Sequence, residues 1–384
     1  MSLEFGSTYH PGDHVKMQVP FVDLRAQYDL LKPSVDEAIQ RVIDRSAFIG
    51  GEEVQAFEQE YAQLFGVKHC ISTANGTDSL YIVLKMLGIG PGDEVITVAN
   101  SWISTSETIS QTGARVVFCD IEPDYFTIDP VQVERLITKN TKAIVPVHLY
   151  GQSCNMDALT EISDKFDIPI VEDCAQSHLA EFRGKRTGLY GVAGSFSFYP
   201  GKNLGAYGDA GCIITNDDAL AMKFRMFARH GALKKHNHEM EGINSRMDGL
   251  QAAVLRTKLL YLESWTAMRQ SRARLYDEWL SEIPQVHIPI VREHSTHVYH
   301  LYVIRTDHRD QLAAFLSEKG IQTGIHYPTA LPNQPAYGYL GHKPTDFPIA
   351  SEYQSKILSL PMYPELSESQ VQFVCDAINT FYSA

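Results

Sequence analysis

KAIVPVHLYGQSCNMDALTEISDKFDIPIVEDCAQSH, residues 142–178, reads as an apolar strand, a helix near 155–166, and a second apolar strand ending in two carboxylates. Neither strand alternates polar with apolar residues, so both faces of each are covered, and a helix between two such strands suits a parallel pair. Similar units flank this one. VKHCIST, a helix through DSLYIVLKML, EVITVA, a helix near 103–112, RVVFCD and a helix near 130–138 precede it, and GSFSFYP and GCIITN follow. These runs predict an α/β fold whose mostly parallel sheet holds about seven strands between residues 67 and 216. Ligands in such sheets lie beyond the carboxyl ends of the strands, so the residues just after each strand are the ones to inspect.

Apolar residues at helical spacing (Leu250, Val254, Leu255, Leu259, Leu262, Trp265) predict one long connecting helix over 248–283. Beyond it, HVYHLYVIR (297–305), a helix ending at Gly320, IQTGIHYP and a last helix from about Ser367 make a smaller αβ domain over 284–384. The large domain is expected over 20–247. Residues 1–19 are polar and rich in turn formers, as in a flexible arm.

With 384 residues, 33 basic and 46 acidic side chains, the chain carries a formal charge of −13. That balance argues against nucleic acid or an anionic membrane surface as the main partner and favours small molecules. The six cysteines show neither C-x-x-C nor zinc-ribbon spacing, and read as buried thiols of a reducing, cytoplasmic compartment. No run approaches the ~18 to 20 apolar residues that span a bilayer. His236 and His238 have no third ligand beside them in sequence, so no metal site is expected.

Four features could carry chemistry. In GSFSFYPGKNLGAYGDAG (194–211), Lys202 sits in a glycine-rich turn after a strand, where desolvation would lower its pKa toward the neutral nucleophile; the alternative is a solvated lysine. A P-loop is excluded, because six residues separate Gly194 from Gly201 and Asn203 stands where Mg²⁺ needs a hydroxyl. Gly88-Ile89-Gly90-Pro91-Gly92 follows a helix and precedes a strand, so it is a turn and not a dinucleotide fingerprint. Glu172 and Asp173 end a strand, and only one of the two can face a given ligand; a helix cap is the alternative. Asn75-Gly76-Thr77 places backbone N–H groups and a hydroxyl at a helix N-terminus, an anion site or an ordinary cap. Trp102, after another strand, can cover a flat ring or simply fill an interface. Together they offer a lysine for a carbonyl, a carboxylate for a ring nitrogen, a helix start for a phosphate and a flat wall, which is what pyridoxal 5′-phosphate requires.

NGTDSL, EDCAQSH, SFSFYPGKNLGAYGDAG, INSRMDGLQAAVLRTKL and GIHYP together resemble the DegT/DnrJ/EryC1/StrS family of sugar aminotransferases over about residues 19–382. The resemblance implies a fold-type I, aspartate-aminotransferase-like architecture and a homodimer with shared active sites. It also implies transfer of an amino group from L-glutamate to a nucleotide-linked keto-sugar. Lys202 then looks like the Schiff-base lysine, Asp173 like the partner of the pyridinium nitrogen, and Gln176 like a neighbour of the phenolic oxygen. Gly76, Thr77 and Ser197 match phosphate contacts, Trp102 the stacking aromatic, and Asn244 a residue reaching the phosphate from the other subunit. Arg246, His326 and Tyr327 match positions near the sugar nucleotide, although Asn244, Arg246 and His326 each also have an ordinary structural reading. A lysine rather than a histidine at 202 favours transamination over dehydration. The motifs look closest to members that aminate C3, and the expected substrate is a dTDP-3-keto-6-deoxyhexose in surface polysaccharide or glycoside biosynthesis. UDP-linked 3-keto or 4-keto sugars, and a non-catalytic regulatory protein on the same fold, are the alternatives. Two departures from the family pattern stand out: Leu179 replaces a frequent glycine, and Tyr207 a smaller residue.

Overall fold

In the computed structural model, which describes residues 17–383, the first helices α1 (Leu24–Asp44) and α2 (Gly51–Phe65) lead into an alternating αβ series. It comprises β1 (His69–Thr73), α3 (Gly76–Met86), β2 (Glu94–Val98), α4 (Ser104–Thr112), β3 (Arg115–Cys119), α5 (Pro130–Leu136) and β4 (Thr141–Val145). Then come α6 (Met156–Phe166), β5 (Val171–Asp173), β6 (Ala193–Ser197), β7 (Gly211–Thr215) and α7 (Asp218–Phe227). The helices form where the pattern asks for them. In α6, Asn155 caps the first turn by accepting the Ala158 N–H, and Met156, Leu159 and Ile162 turn one face into the core.

The strands run in the order β1-β7-β6-β5-β4-β2-β3, but they are two ladders and not the single seven-stranded sheet expected. One ladder holds β1, β7, β6 and β5, the other β4, β2 and β3. Between them stand the isolated parallel bridges Ile144–Ile170 and Val147–Asp173. The break falls at Pro146 and Pro169, which have no N–H to give; their carbonyls instead accept from Asp173 and Ile144, at 2.9 and 3.0 Å. The arrangement is mostly parallel. Only β7, among these seven strands, runs against its neighbours, so the chain turns back directly between β6 and β7 and the turn carrying Lys202 hangs at their end.

Val95, Ile96 and Val98 of β2, Val116 and Phe118 of β3 and Ile82 to Leu84 of α3 fill the main core, each side chain contributing about 1.5–3 kcal/mol by leaving water. All six cysteines are buried and unpaired. The pattern over 248–283 is two helices, α8 (Gly249–Leu259) and α9 (Leu262–Leu280), rather than one. They part at Leu260, which is 83% exposed and so gives the pattern no core contact to continue through. The rest comprises β8 (Tyr302–Arg305), α10 (Arg309–Glu318), α11 (Pro348–Tyr353), β9 (Ile357–Leu360) and α12 (Glu368–Ser383), with β8 and β9 antiparallel. The strand expected over 297–305 is shorter, because Val298 and Leu301 instead give their N–H groups to Gly151 and Tyr150. Of the expected arm, residues 1–16 lie outside the described residues. Its last residue is not free: Val19 is buried and exchanges backbone hydrogen bonds with Gly320 and Gln322.

Arg269 of α9 ties these parts together. It is buried, and its guanidinium donates to the carbonyls of Tyr299 at 3.0 Å and Met362 at 2.9 Å. Replacing Arg269 by Met leaves both carbonyls without a donor and is expected to cost about 2–4 kcal/mol in urea unfolding. A loss below about 1 kcal/mol would show that the contact contributes little to stability.

Candidate active site

A cavity of about 580 Å³ opens beyond the carboxyl ends of β4, β5 and β6, where a parallel sheet places its ligands. The starts of α3 and α4 form one wall, and residues 300–301 and 326–327 close another.

At the end of β5 the two carboxylates part, as consecutive strand residues must. Glu172 faces inward. Its oxygens accept from the N–H groups of Gly188, Tyr190 and Gly191 at 2.6–2.7 Å and from His148 Nε2 at 2.9 Å. The Cys154 N–H occupies His148 Nδ1 at 3.1 Å, so the imidazole proton sits on Nε2. His148, Glu172 and Cys174 lie close enough to resemble a metal cluster, but four donors already fill the carboxylate. Asp173 faces the cavity. Its Oδ2 accepts from Thr105 Oγ1 at 2.8 Å and Oδ1 from the Ala175 N–H at 3.1 Å. Burial raises its pKa above the ordinary carboxylate range, opposed by these donors and by the positive charge of Lys202.

Lys202 lines the same cavity. Its turn is tightly folded: the Lys202 N–H donates to Tyr199, that of Ala206 to Phe198, and a Cβ on Gly205 would come within 2.2 Å of the Pro200 carbonyl oxygen. The buried Lys258 Nζ donates to the Gly205 carbonyl at 2.8 Å. Burial pushes the Lys202 ammonium down to about 8, partly offset by Asp173. About one tenth of the amine is therefore neutral at pH 7, against well under a thousandth for an unshifted lysine.

At the start of α3 the cap is Asn75, whose Oδ1 accepts the Asp78 N–H at 2.8 Å. Thr77 is therefore free of that duty, and its hydroxyl meets Ser104 Oγ at 2.6 Å. Gly76 admits no side chain, because a Cβ would come within 2.7 Å of Ser197 Cβ. The first N–H groups of a helix have no partner inside it, so this close approach sets those of Gly76 and Thr77 beside Ser197 at the cavity. Trp102, 58% exposed, stands at the rim with its ring 5.8 Å from that of Tyr327. Gln176 accepts from the Tyr150 N–H at 2.6 Å and donates to Tyr327 Oη at 3.1 Å, keeping one amide proton free. Burial, helped by the charge of Asp173, raises the Tyr327 pKa. His326 stacks on Phe21, bonds Ser359 through Nδ1 at 2.8 Å, and is pushed down to about 4 by burial and by Lys202.

Nine of the eleven expected residues thus share one cavity. Asn244 and Arg246 do not. Both are exposed, joined by an Arg246 Nε to Asn244 Oδ1 bond of 3.0 Å, and Arg246 lines a separate cavity of about 380 Å³ with Arg229, Lys235, His236 and His238. Thr105, Ser101, His300 and Phe21 also line the main cavity and were not anticipated. The first two follow β2, where the strand-end rule could have found them; the others come from segments distant in sequence, and no local pattern marks them. Leu179 sits at φ +67°, in the left-handed region where glycine is the easier residue.

A sequence profile of the DegT/DnrJ/EryC1/StrS aminotransferase family matches residues 30–379. The chain belongs to this family. Among family relatives, it is 45% identical over 368 residues to a pleiotropic regulatory protein of Geobacillus stearothermophilus, covering 95% of this chain and 99% of that one. It is 41% identical to a dTDP-3-amino-3,4,6-trideoxy-alpha-D-glucose transaminase of Streptomyces venezuelae, covering 94% and 95%. Identity is also 41% to a UDP-2-acetamido-2-deoxy-3-oxo-D-glucuronate aminotransferase of Pseudomonas aeruginosa, covering 94% and 99%. The crystal structure of S. venezuelae DesV in complex with a ketimine intermediate matches with a TM-score of 0.93 at 41% identity, over 96% of this chain and 99% of that one. Family membership makes the protein an α/β aminotransferase. Among the described residues, no helix is long and apolar enough to cross a membrane.

Glu172→Ala would orphan His148 and the N–H groups of Gly188, Tyr190 and Gly191, and is expected to lower stability by about 3 kcal/mol or more. Thermal and urea unfolding of the purified variant check this, and an unchanged midpoint would refute the structural reading of Glu172.

Proposed function

We propose that the protein is a pyridoxal 5′-phosphate-dependent aminotransferase that moves an amino group from L-glutamate to C3 of a nucleotide-linked 3-keto sugar, working as a homodimer. The observation that carries this reading is the meeting of Lys202 and Asp173 in one cavity beside a helix start. Their surroundings suit the cofactor. Asp173, buried and short of positive charge, is improved by a cationic ring nitrogen. Gly76, Thr77 and Ser197 would hold the phosphate, Trp102 would cover the ring, and the free amide proton of Gln176 would meet the phenolic oxygen.

When bound, the cofactor supplies an electron sink for the pair released as a proton leaves the α-carbon of an amine. The chain's own residues do the rest. Lys202 Nζ, with its lowered pKa, would join the cofactor's aldehyde with loss of water, and once displaced by the donor amine it would carry a proton from one carbon to another. Asp173 keeps the ring nitrogen protonated. His326 and Tyr327 face the same space and would contact the sugar.

Two relatives at 41% identity carry a 3-amino or 3-oxo sugar in their names, which supports C3. One name has dTDP and the other UDP, so both a dTDP-3-keto-6-deoxyhexose and a UDP-linked 3-keto sugar enter the test below. Asn244 and Arg246 lie outside the main cavity of their own chain, and Arg246 shares a separate cavity with the exposed apolar Ile49, as suits residues that serve a partner subunit's cavity. The regulatory name of one relative favours a second reading, a binding protein without turnover.

Glutamate-dependent amination across a panel of dTDP- and UDP-linked 3-keto and 4-keto sugars tests the proposal, and no product with any of them, from a protein that stays colourless with added cofactor, supports the binding protein instead. Lys202→Ala is expected to abolish turnover and borohydride-fixed labelling of the peptide containing residue 202; a fully active variant would overturn the assignment. Because the Lys202 amine is neutral above about 8, the rate at which apoprotein takes up the aldehyde cofactor should rise about tenfold per pH unit below that value and level off above it. A rate flat from pH 6 to 9 would contradict it.

A further inference from the structure

Between the aromatic wall and the Asp173 carboxylate stand two hydroxyls that the reaction as described does not use. Thr105 Oγ1, at the start of α4, lies 2.8 Å from Asp173 Oδ2 and 3.2 Å from Ser101 Oγ. Both hydroxyls are buried, Thr105 at 1% and Ser101 at 3% exposure. A hydroxyl has one proton, and an ionised carboxylate only accepts. With Asp173 ionised, the Thr105 proton must therefore point at Oδ2, and the proton between the two hydroxyls must come from Ser101. The chain of bonds has one direction, and it ends on the carboxylate. The other oxygen, Oδ1, is held by the Ala175 N–H, which belongs to the backbone and adjusts to no ligand.

We propose that Thr105 is a positioning residue that keeps Asp173 ionised and aimed at the cavity, with Ser101 setting the direction of its proton, so that the site grips a cationic ring nitrogen. The proposal rests on the cofactor reading above. The charged or titratable groups that act on Asp173 are Lys202 from the turn after β6, His148 from beyond β4, Cys174 next to it in the chain, and Tyr327 from the opposite wall. Burial works against the anion, and Thr105 is the strongest opposing influence, ahead of the Ala175 N–H and of Lys202 and His148. Removing its hydroxyl leaves a buried carboxylate oxygen without that donor, so protonation of Asp173 begins at a higher pH.

The test uses pyridoxamine 5′-phosphate, which has the ring and phosphate of the cofactor but no aldehyde, so Lys202 titration does not enter through covalent attachment. Its dissociation constant is measured from pH 5 to 8.5 with wild-type apoprotein, Thr105→Val, Thr105→Ser and Ser101→Ala, each checked by thermal unfolding. Thr105→Val is expected to bind roughly ten- to hundredfold more weakly at pH 7, the size of one charge-assisted hydrogen bond. Its acid weakening should start at a higher pH than in wild type. Thr105→Ser should restore both properties, and Ser101→Ala should move them less, in the same direction; if Thr105→Val does not fold, the Ser101→Ala shift decides. Equal binding by the variants and wild type at every pH overturns the proposal. So does a uniform weakening in Thr105→Val that serine does not relieve. Failure of wild type to bind overturns the cofactor reading itself, a result distinct from the first two.

Discussion

Two consecutive strand residues cannot face the same way, and at the end of β5 that constraint divides a pair of carboxylates between structure and chemistry. Glu172 turns inward and is saturated by three backbone N–H groups and a histidine. It holds the segment 188–191, which leads into β6. Asp173 turns outward, buried and incompletely compensated. The inner carboxylate fixes the strand end from which the outer one works.

The same economy runs through the neighbouring walls. The antiparallel return from β6 to β7 leaves a long turn at the carboxyl edge, and its close packing against Pro200 and Lys258 keeps Lys202 in a space poor in water. Desolvation acts on both groups in the same sense, pushing the lysine pKa down and the aspartate pKa up, each toward its neutral form, and the charge of each opposes that push on the other. Gly76 lets a helix start approach Ser197 more closely than any side chain would permit.

Much of this was legible in the chain. Apolar runs without alternation, separated by helices, announce buried parallel strands, and the strand-end rule leads to the Asn75–Thr77 segment, Trp102, the Glu172–Asp173 pair and Lys202. The division of the sheet at Pro146 and Pro169 was written in the sequence too, since proline lacks the donor a ladder needs, but the run of apolar residues masked it. The break at Leu260 was not legible, because a leucine at helical spacing looks the same whether it meets a core or water. Phe21 and His300 had no local signal at all.

The sequence by itself therefore determined the class of fold, the chemistry of the cavity and which residue types would meet there, because strand periodicity, helix starts and glycine turns are local properties. Tertiary structure alone decided which carboxylate faces the ligand, that Asn75 and not Thr77 caps α3, that Thr105 reaches Asp173, and that Asn244 and Arg246 stand apart. Those facts depend on how segments up to hundreds of residues apart are brought into contact, and on the burial that contact creates, which no window of sequence contains.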